Sequence, residues 1–312
     1  MKKYFLQNLT YACLCLFIFI CSTQSVLGQN KSTAKRVIIL GIDGFSVPGF
    51  KEAKHPNLDL LLKNGVLSLD TRAVMPSVTL PNWTSHLSGS GPEQHGVDNN
   101  SWEKNTASLP PVTADEDGYY PTAFKLLKDK YPNAKTAYYY NWGNLIKPIN
   151  KRYLDEVNFL DNYEYHENYE RAAQFAKDNK NNPTLIFLYT VHTDHAGHDF
   201  KWMSQEYITA LEDADLAIGK LVNDLKSEGL YDETHFFLIT DHGGKENGHG
   251  GMSEVEMTVP WAVTGPGIKK GKILAEPNNN TNTASVICRL FGISSIPKAW
   301  IGEVPESIFE TN

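Results

Sequence analysis

Short apolar runs rich in β-branched residues alternate along this chain with amphipathic stretches whose apolar positions recur every three or four residues. The first pattern predicts strands at Arg36 to Ile42, Val66 to Ala73, Ala134 to Tyr140, Thr184 to Thr190, His235 to Thr240 and Val259 to Thr264. The second predicts helices at Asn57 to Asn64, Pro81 to Ser88, Tyr120 to Lys130, Tyr165 to Asn179 and Gln205 to Glu228, with a closing helix at Asn282 to Phe291. In the longest of these, Ile208, Leu211, Ile218, Leu221, Val222 and Leu225 share one face. Such alternation lets a parallel sheet cover both apolar faces, so the expected fold class is α/β, a mostly parallel central sheet sandwiched by helices. Asp98 to Asp117 and Asn150 to Glu167 lack periodic apolar residues and read as loops, and Asn278 to Asn280 as a surface turn.

Residues 1–28 follow neither pattern. Lys2 and Lys3 precede the apolar run Leu14 to Cys21, and compact residues from Ser22 lead to Val26 and Gly28. This order predicts a secretory signal peptide cleaved before Gln29, hence a periplasmic or extracellular protein with one domain over 29–312 and no stable membrane insertion after cleavage. Retention as an uncleaved anchor is the alternative. Lipoprotein processing at Cys21 fits less well, because Ile20 stands where a small residue is wanted. Three of the four cysteines, Cys13, Cys15 and Cys21, lie in that leader. Cys288 therefore has no intrachain disulfide partner, and its apolar setting suggests a small buried hydrophobe.

Composition narrows the function classes. With 312 residues, 41% of them hydrophobic and 21% charged, the chain is neither disordered nor fibrous. It carries 29 basic against 36 acidic residues, a net charge of -7 that falls to near -9 without the leader, so no duplex nucleic-acid partner is expected.

Ligands of parallel sheets gather beyond the carboxyl ends of the strands. Three predicted strands end in metal-ligand residue types: Gly41-Ile42-Asp43-Gly44, then His192-Thr193-Asp194-His195-Ala196-Gly197-His198, then Asp241-His242-Gly243; His249 follows in Gly248-His249-Gly250. Crowded carboxylates call for a neutralising cation, and mixed Asp and His ligation suits zinc, with manganese or iron as alternatives. Taken singly, Asp43 or Asp241 would serve equally as turn caps, and spacing alone leaves His192 and His195 ambiguous. Thr79-Leu80-Pro81-Asn82 places a hydroxyl before a proline-started helix, where free backbone N–H groups favour an anion such as a phosphoryl group and Asn82 is positioned to donate to it. A plain N-cap is the competing reading of Thr79.

Together these segments, with Gly89 through Pro92 to His95-Gly96, resemble the alkaline phosphatase superfamily, and within it the type I phosphodiesterase and nucleotide pyrophosphatase branch, from about Val37 to Gly271. The resemblance implies an alkaline phosphatase-like catalytic domain and two zinc ions. One would be held by Asp43, Asp241, His242 and the Thr79 oxygen, the other by Asp194, His198 and His249. It implies hydrolysis of small-molecule phosphate esters, as phosphodiester or nucleotide pyrophosphate bonds, through a phosphothreonine at Thr79, with Asn82 and the Leu80 amide on a nonbridging oxygen. His95 matches a motif residue that is not a ligand, and His192 stands where many relatives carry an acid. Trp83 occupies the position of the sulfatase arginine, which weakens a sulfatase reading. Phosphate monoesterase activity and a non-catalytic metal-binding role are the remaining alternatives. Tyr140 and Trp142, at the end of the third predicted strand, are candidates for a stacking wall against the leaving group, and packing in the core is the competing reading for aromatics there.

Overall fold

The computed structural model describes residues 33–161 and 164–311; the expected leader at 1–28 lies outside the described residues. Nine strands among the described residues form one sheet: β1 (Arg36–Ile42), β2 (Gly65–Arg72), β3 (Lys135–Tyr140), β4 (Glu156–Phe159), β5 (Thr184–Thr190), β6 (Thr234–Ile239), β7 (Thr258–Thr264), β8 (Lys272–Ile273) and β9 (Asn278–Asn279). Their order is β4-β3-β5-β1-β6-β7-β2-β8, with β9 also on β2. From β4 to β6 every pairing is parallel, and β7 runs antiparallel to both β6 and β2. The mostly parallel sheet is thus as expected.

Among the described residues, ten α-helices accompany these strands: α1 (Val47–Glu52), α2 (Pro56–Leu62), α3 (Thr79–Ser88), α4 (Pro92–His95), α5 (Ala123–Lys130), α6 (His166–Asp178), α7 (His192–Phe200), α8 (Gln205–Ser227), α9 (Glu254–Met257) and α10 (Asn282–Leu290). Alternation along β1 divides the core between two layers. Val37 and Ile39 pack with Leu80, Trp83 and Leu87 of α3, Phe124 and Leu127 of α5 and Ile287 of α10. Ile38, Leu40 and Ile42 face the other way, onto Leu58 and Leu61 of α2, Tyr169 and Ala172 of α6 and Leu211, Ile218 and Leu221 of α8. Each such aliphatic side chain, once buried, contributes about 1.5–3 kcal/mol, so α8 is anchored chiefly by its apolar stripe. The same helix also buries Asp215, whose carboxylate accepts from the Asn57 and Leu58 N–H groups at 3.1 and 2.7 Å and so caps α2, whose own N-cap His55 makes no side-chain cap.

Two stretches differ from the sequence reading. The segment 150–167 is not all loop, because it contains β4, an edge strand that among the described residues pairs only with β3. Asn278 to Asn280 is not a surface turn: Asn278 and Asn280 are buried and Asn278 pairs with Thr71 of β2. Between Asp98 and Asp117 the chain has no helix or strand, as expected. Cys288 is buried on α10, which pushes its thiol up to about 12 and leaves it unreactive.

Candidate active site

Because β5, β1 and β6 are adjacent and parallel, the segments leaving their carboxyl ends meet above one edge of the sheet. Asp43 follows β1 directly, Asp194 and His198 lie one turn apart on α7 behind β5, and Asp241 and His242 follow β6. The turn after Asp43 depends on Gly44, which has φ 65° and whose missing Cβ would stand 3.1 Å from the Asp194 backbone. These residues, with Thr79, Asn100, Trp142 and His249, line or adjoin a cavity of about 190 Å³.

The three imidazoles share one design. Nδ1 of His242 lies 2.9 Å from the Gly243 carbonyl, Nδ1 of His198 2.8 Å from the Asn247 carbonyl, and Nδ1 of His249 3.0 Å from the Ser77 carbonyl. A carbonyl only accepts, so each Nδ1 carries the proton and each Nε2 turns a lone pair inward. The Nε2 atoms of His198 and His249 are then 3.2 Å apart, an arrangement of two acceptors that a cation between them reconciles. The carboxylates point to the same chemistry: Asp43 Oδ1, Asp194 Oδ1 and Asp241 Oδ2 are buried and have no hydrogen-bond partner among the described residues. Donor atoms of Asp194, His198 and His249 fall within 4.8 Å of one another, as do those of Asp43, Asp194 and His242. The first group is the expected trio. In the second, Asp194 reaches across where Asp241 was expected, while Asp241 Oδ2 stays 3.1 Å from His242 Nε2.

Electrostatics follow from this crowding. Burial, then Asp241 and Asp194, raises the Asp43 carboxyl well above its usual range. Burial likewise lifts Asp194 to about 6 against the pull of His242 and His198. Asp241 is driven upward by burial, but His242 outweighs this and lowers it. Burial pushes His249 down to about 3, so it is neutral and fit to ligate.

Thr79 is the first residue of α3 rather than its N-cap, which is Val78. Its hydroxyl oxygen lies 3.4 Å from His242 Nε2 and 3.4 Å from Asn100 Nδ2. Asn82 does not face this oxygen, contrary to expectation. Its amide donates to the carbonyls of Val74, Pro76 and Val78 at 3.2, 3.0 and 3.0 Å, and its oxygen accepts from Val74 N and Asn280 Nδ2. A side chain in the first turn of a helix points back toward the N-terminus, so Asn82 braces the 74–78 loop instead. The place beside Thr79 belongs to Asn100, which sequence reasoning missed. Its oxygen also accepts from the Leu80 N–H at 2.8 Å, so that amide is engaged as well. The only sequence signal was the polar cluster Asp98-Asn99-Asn100-Ser101 in a long loop.

Trp142 lines the cavity; Tyr140 does not, being buried with its ring 5.5 Å from Tyr138 and 5.1 Å from Phe159. His195 also lines the cavity, whereas the His192 ring lies near Tyr165. His95 sits beneath α3, bonded to Ser85 and to the Val97 N–H, and burial lowers it to about 3.

The family model described as type I phosphodiesterase / nucleotide pyrophosphatase matches residues 37–256, which span every residue of this cluster. The chain belongs to that family. Among curated proteins, this phosphodiesterase-family chain is similar to an uncharacterized pyrophosphatase/phosphodiesterase of Schizosaccharomyces pombe, 27% identical over 66% of this chain and 44% of the relative. It is also similar to venom phosphodiesterase 2 of Crotalus adamanteus, 30% identical over 72% of this chain and 28% of the relative. The chain therefore spans less than half the length of these relatives. A solved structure of murine ectonucleotide pyrophosphatase / phosphodiesterase 5, an inactive threonine-to-alanine variant in complex with AMP, superimposes with a TM-score of 0.74 at 15% identity, covering 88% of this chain and all of that one. That likeness establishes a shared fold.

In this phosphodiesterase-family chain a second layer of contacts steadies the cluster. Asp43 Oδ2 accepts from Trp83 Nε1 at 3.3 Å and from the Tyr189 hydroxyl. Glu256, 3% exposed, accepts from Gly251 N at 2.9 Å, from Ser253 N at 3.3 Å and from the Ser253 hydroxyl, and pairs with Lys245 at 3.2 Å. Gly251 in turn accepts from the Ser77 hydroxyl at 2.6 Å, and Ser77 holds His249. Burial would raise the Glu256 carboxyl, but these donors prevail and bring it to about 2.

Proposed function

We propose that this chain is an exported metal-dependent hydrolase that cleaves phosphodiester or nucleotide pyrophosphate bonds through a phosphothreonine at Thr79. The observation carrying this reading is the Thr79 hydroxyl at the start of α3, 3.4 Å from His242 Nε2 and beside two groups of inward-facing metal donors. Asp43, Asp241, His242 and the Thr79 oxygen would hold one zinc, and Asp194, His198 and His249 the other; the orphaned carboxylate oxygens and inward lone pairs fit such ions. Bound zinc supplies Lewis-acid stabilisation of oxygen charge and lowers the pKa of a coordinated hydroxyl.

Thr79 Oγ1 attacks phosphorus as the bond to the leaving oxygen breaks, and water then displaces the threonine oxygen to release phosphate or its monoester. Asn100, in place of Asn82, donates its amide to a nonbridging oxygen as charge develops. Trp142 offers a face to the leaving group. Among the described residues lining the cavity there is no Lys or Arg, which favours a diester over the extra negative charge of a monoester. The murine relative's inactive threonine variant with AMP is in keeping with a threonine nucleophile and a nucleotide substrate. A sulfatase reading loses support because the Trp83 indole is engaged with Asp43. Export rests on the Lys2-Lys3 and Leu14 to Cys21 pattern; among the described residues no helix is long and apolar enough to cross a membrane.

The test is hydrolysis of bis(4-nitrophenyl) phosphate and 4-nitrophenyl phosphate by zinc-loaded protein. Diester preference is expected, and Thr79→Ala should lose about 10³-fold or more in kcat while keeping both zinc equivalents. Wild-type turnover in that variant refutes the nucleophile, and monoester preference refutes the substrate class.

A further inference from the structure

We propose that Trp202 is a positioning residue for the metal donors His198 and His249, fixing the orientation of both imidazoles from outside the coordination sphere. The inference rests on the two-metal reading above. Trp202 is 5% exposed and stands in the short connection between α7 and α8. One indole meets three of the segments that carry donors. Its Nε1–H donates to the Gly44 carbonyl at 2.9 Å, one residue past Asp43. Its ring lies 5.3 Å from the His198 ring at 83° and 5.9 Å from the His249 ring at 66°. The backbone N–H of Trp202 donates to the Glu246 carbonyl at 2.8 Å, tying the connection to the loop that presents His249.

The surrounding chain has been shaped to admit this ring. A Cβ at Gly244 would stand 2.2 Å from the indole and one at Gly197 2.7 Å, so both flanking segments are in contact with its faces. Three non-glycine residues have positive φ among the described residues, and all three surround Trp202: Lys201 at 84° and Met203 at 70° on either side, and Glu246 at 49° opposite. Residues held in such conformations persist only where neighbouring structure over-determines them, and they gather at functional sites. The His198 and His249 rings are each held at Nδ1 by one carbonyl, and the His249 ring also stacks on the His242 ring at 3.6 Å, whereas the His198 ring has the indole as its crosswise neighbour. The indole, crosswise to both rings, adds the contact that fixes the His198 ring against His249, and thereby sets the 3.2 Å approach of their Nε2 atoms.

The experiment compares wild type, Trp202→Phe, Trp202→Leu and the buried control Trp300→Leu, each as the full chain stripped with chelator. Stepwise zinc dissociation constants are read by competition with a chromophoric chelator, and coordination geometry by the visible spectrum of the Co²⁺-loaded protein. Thermal unfolding is recorded alongside. In Trp202→Leu one of two zinc equivalents should bind about 10-fold or more weakly, within the range seen when groups supporting a ligand are lost. The Co²⁺ spectrum should change and kcat should fall more than KM rises. Trp202→Phe, which keeps a ring and loses the N–H, should lie between that variant and wild type and covers the case in which leucine prevents folding. Trp300→Leu should lower the melting temperature and leave both zinc constants alone. If both Trp202 variants keep zinc constants within twofold of wild type and an unchanged Co²⁺ spectrum, the indole is mere core packing and the inference fails. A wild-type protein that binds no zinc overturns the metal-site reading itself, a result distinguishable from that failure.

Discussion

Replacing Glu256 with glutamine removes a charge that never touches substrate and should nevertheless cost the protein a large share of its stability. Four donor contacts converge on this carboxylate, from Gly251 N, Ser253 N, the Ser253 hydroxyl and Lys245 Nζ. Three of them meet Oε2, so a glutamine amide placed there sets its own N–H groups against donors. The carboxyl falls from 4.5 to about 2 on folding, which corresponds to about 3 kcal/mol in favour of the ionised native form. The folded value is depressed, so this contribution is complete above the unfolded value of 4.5 and fades as pH falls through about 2. Urea unfolding of zinc-free wild type and Glu256→Gln should therefore differ by about 3 kcal/mol between pH 5 and 8, and by roughly half that at pH 3. The Gly251, Ser77 and His249 relay should carry part of the loss into the site as weaker zinc binding. A difference below about 1 kcal/mol, or one that does not shrink between pH 5 and 3, refutes the reasoning.

Other perturbations separate binding groups from braces. Asn100→Ala should reduce kcat about 10²-fold with little change in melting temperature, whereas Asn82→Ala, which strands buried carbonyls of the 74–78 loop, should lower the melting temperature by about 5 °C or more; steady-state kinetics and calorimetry on the pair decide it. The raised Asp194 carboxyl makes the opposite kind of prediction. Its ionised form is disfavoured in the zinc-free fold, so its native stabilisation is present below 3.8 and lost as pH rises through about 6. Without metal at pH 7.5, Asp194→Asn should be more stable than wild type by up to about 3 kcal/mol, with no gain at pH 3.5, while losing one zinc equivalent; a less stable variant in chelator at pH 7.5 excludes this account. Lys201→Gly should relieve the φ 84°, ψ 145° conformation and raise the melting temperature by about 2–4 °C, because the exposed pair Lys201–Glu246 contributes little. No rise on calorimetry would mean that the neighbouring Trp202 packing, and not strain, dominates there.

Legibility of the fold varied with burial. Strands β1 and β5 were read to the residue because both are buried along their whole length and appear as unbroken apolar runs between polar flanks. Strand β4 escaped notice for the opposite reason: at the sheet edge it half-exposes Val157 and Phe159, and four residues carry too little periodicity. The antiparallel placement of β7 leaves no trace in a local pattern, since direction is set by the distant pairing with β2. Within the site, Asp43, Asp194, Asp241 and His242 stand out because each lies just past a strand end. Asn100 does not, because it reaches Thr79 through a loop whose path is set by tertiary contacts, among them the Asn144 amide on the Asn100 carbonyl at 2.9 Å. Asn82 lies three residues along α3 from Thr79, but its side chain tilts back toward the helix N-terminus and is taken up by the carbonyls of the 74–78 loop. Tyr140 and Trp142, neighbours in sequence, part company at the end of β3, one into the core and one onto the cavity.

The irregular segment from Asp98 to Asp117 brings Asn100 to Thr79, the proposed nucleophile, yet supplies none of the candidate metal donors, which stand just past β1 and β6, on α7, at the start of α3 and on the loop of His249. Apart from Asn100, the candidate metal donors and Thr79 are thus held by parts of the chain that can vary independently of this segment. A lineage descending from this sequence could lengthen, shorten or recompose the rest of that segment, provided Asn100 keeps its place beside Thr79, with the metal-donor set inherited intact.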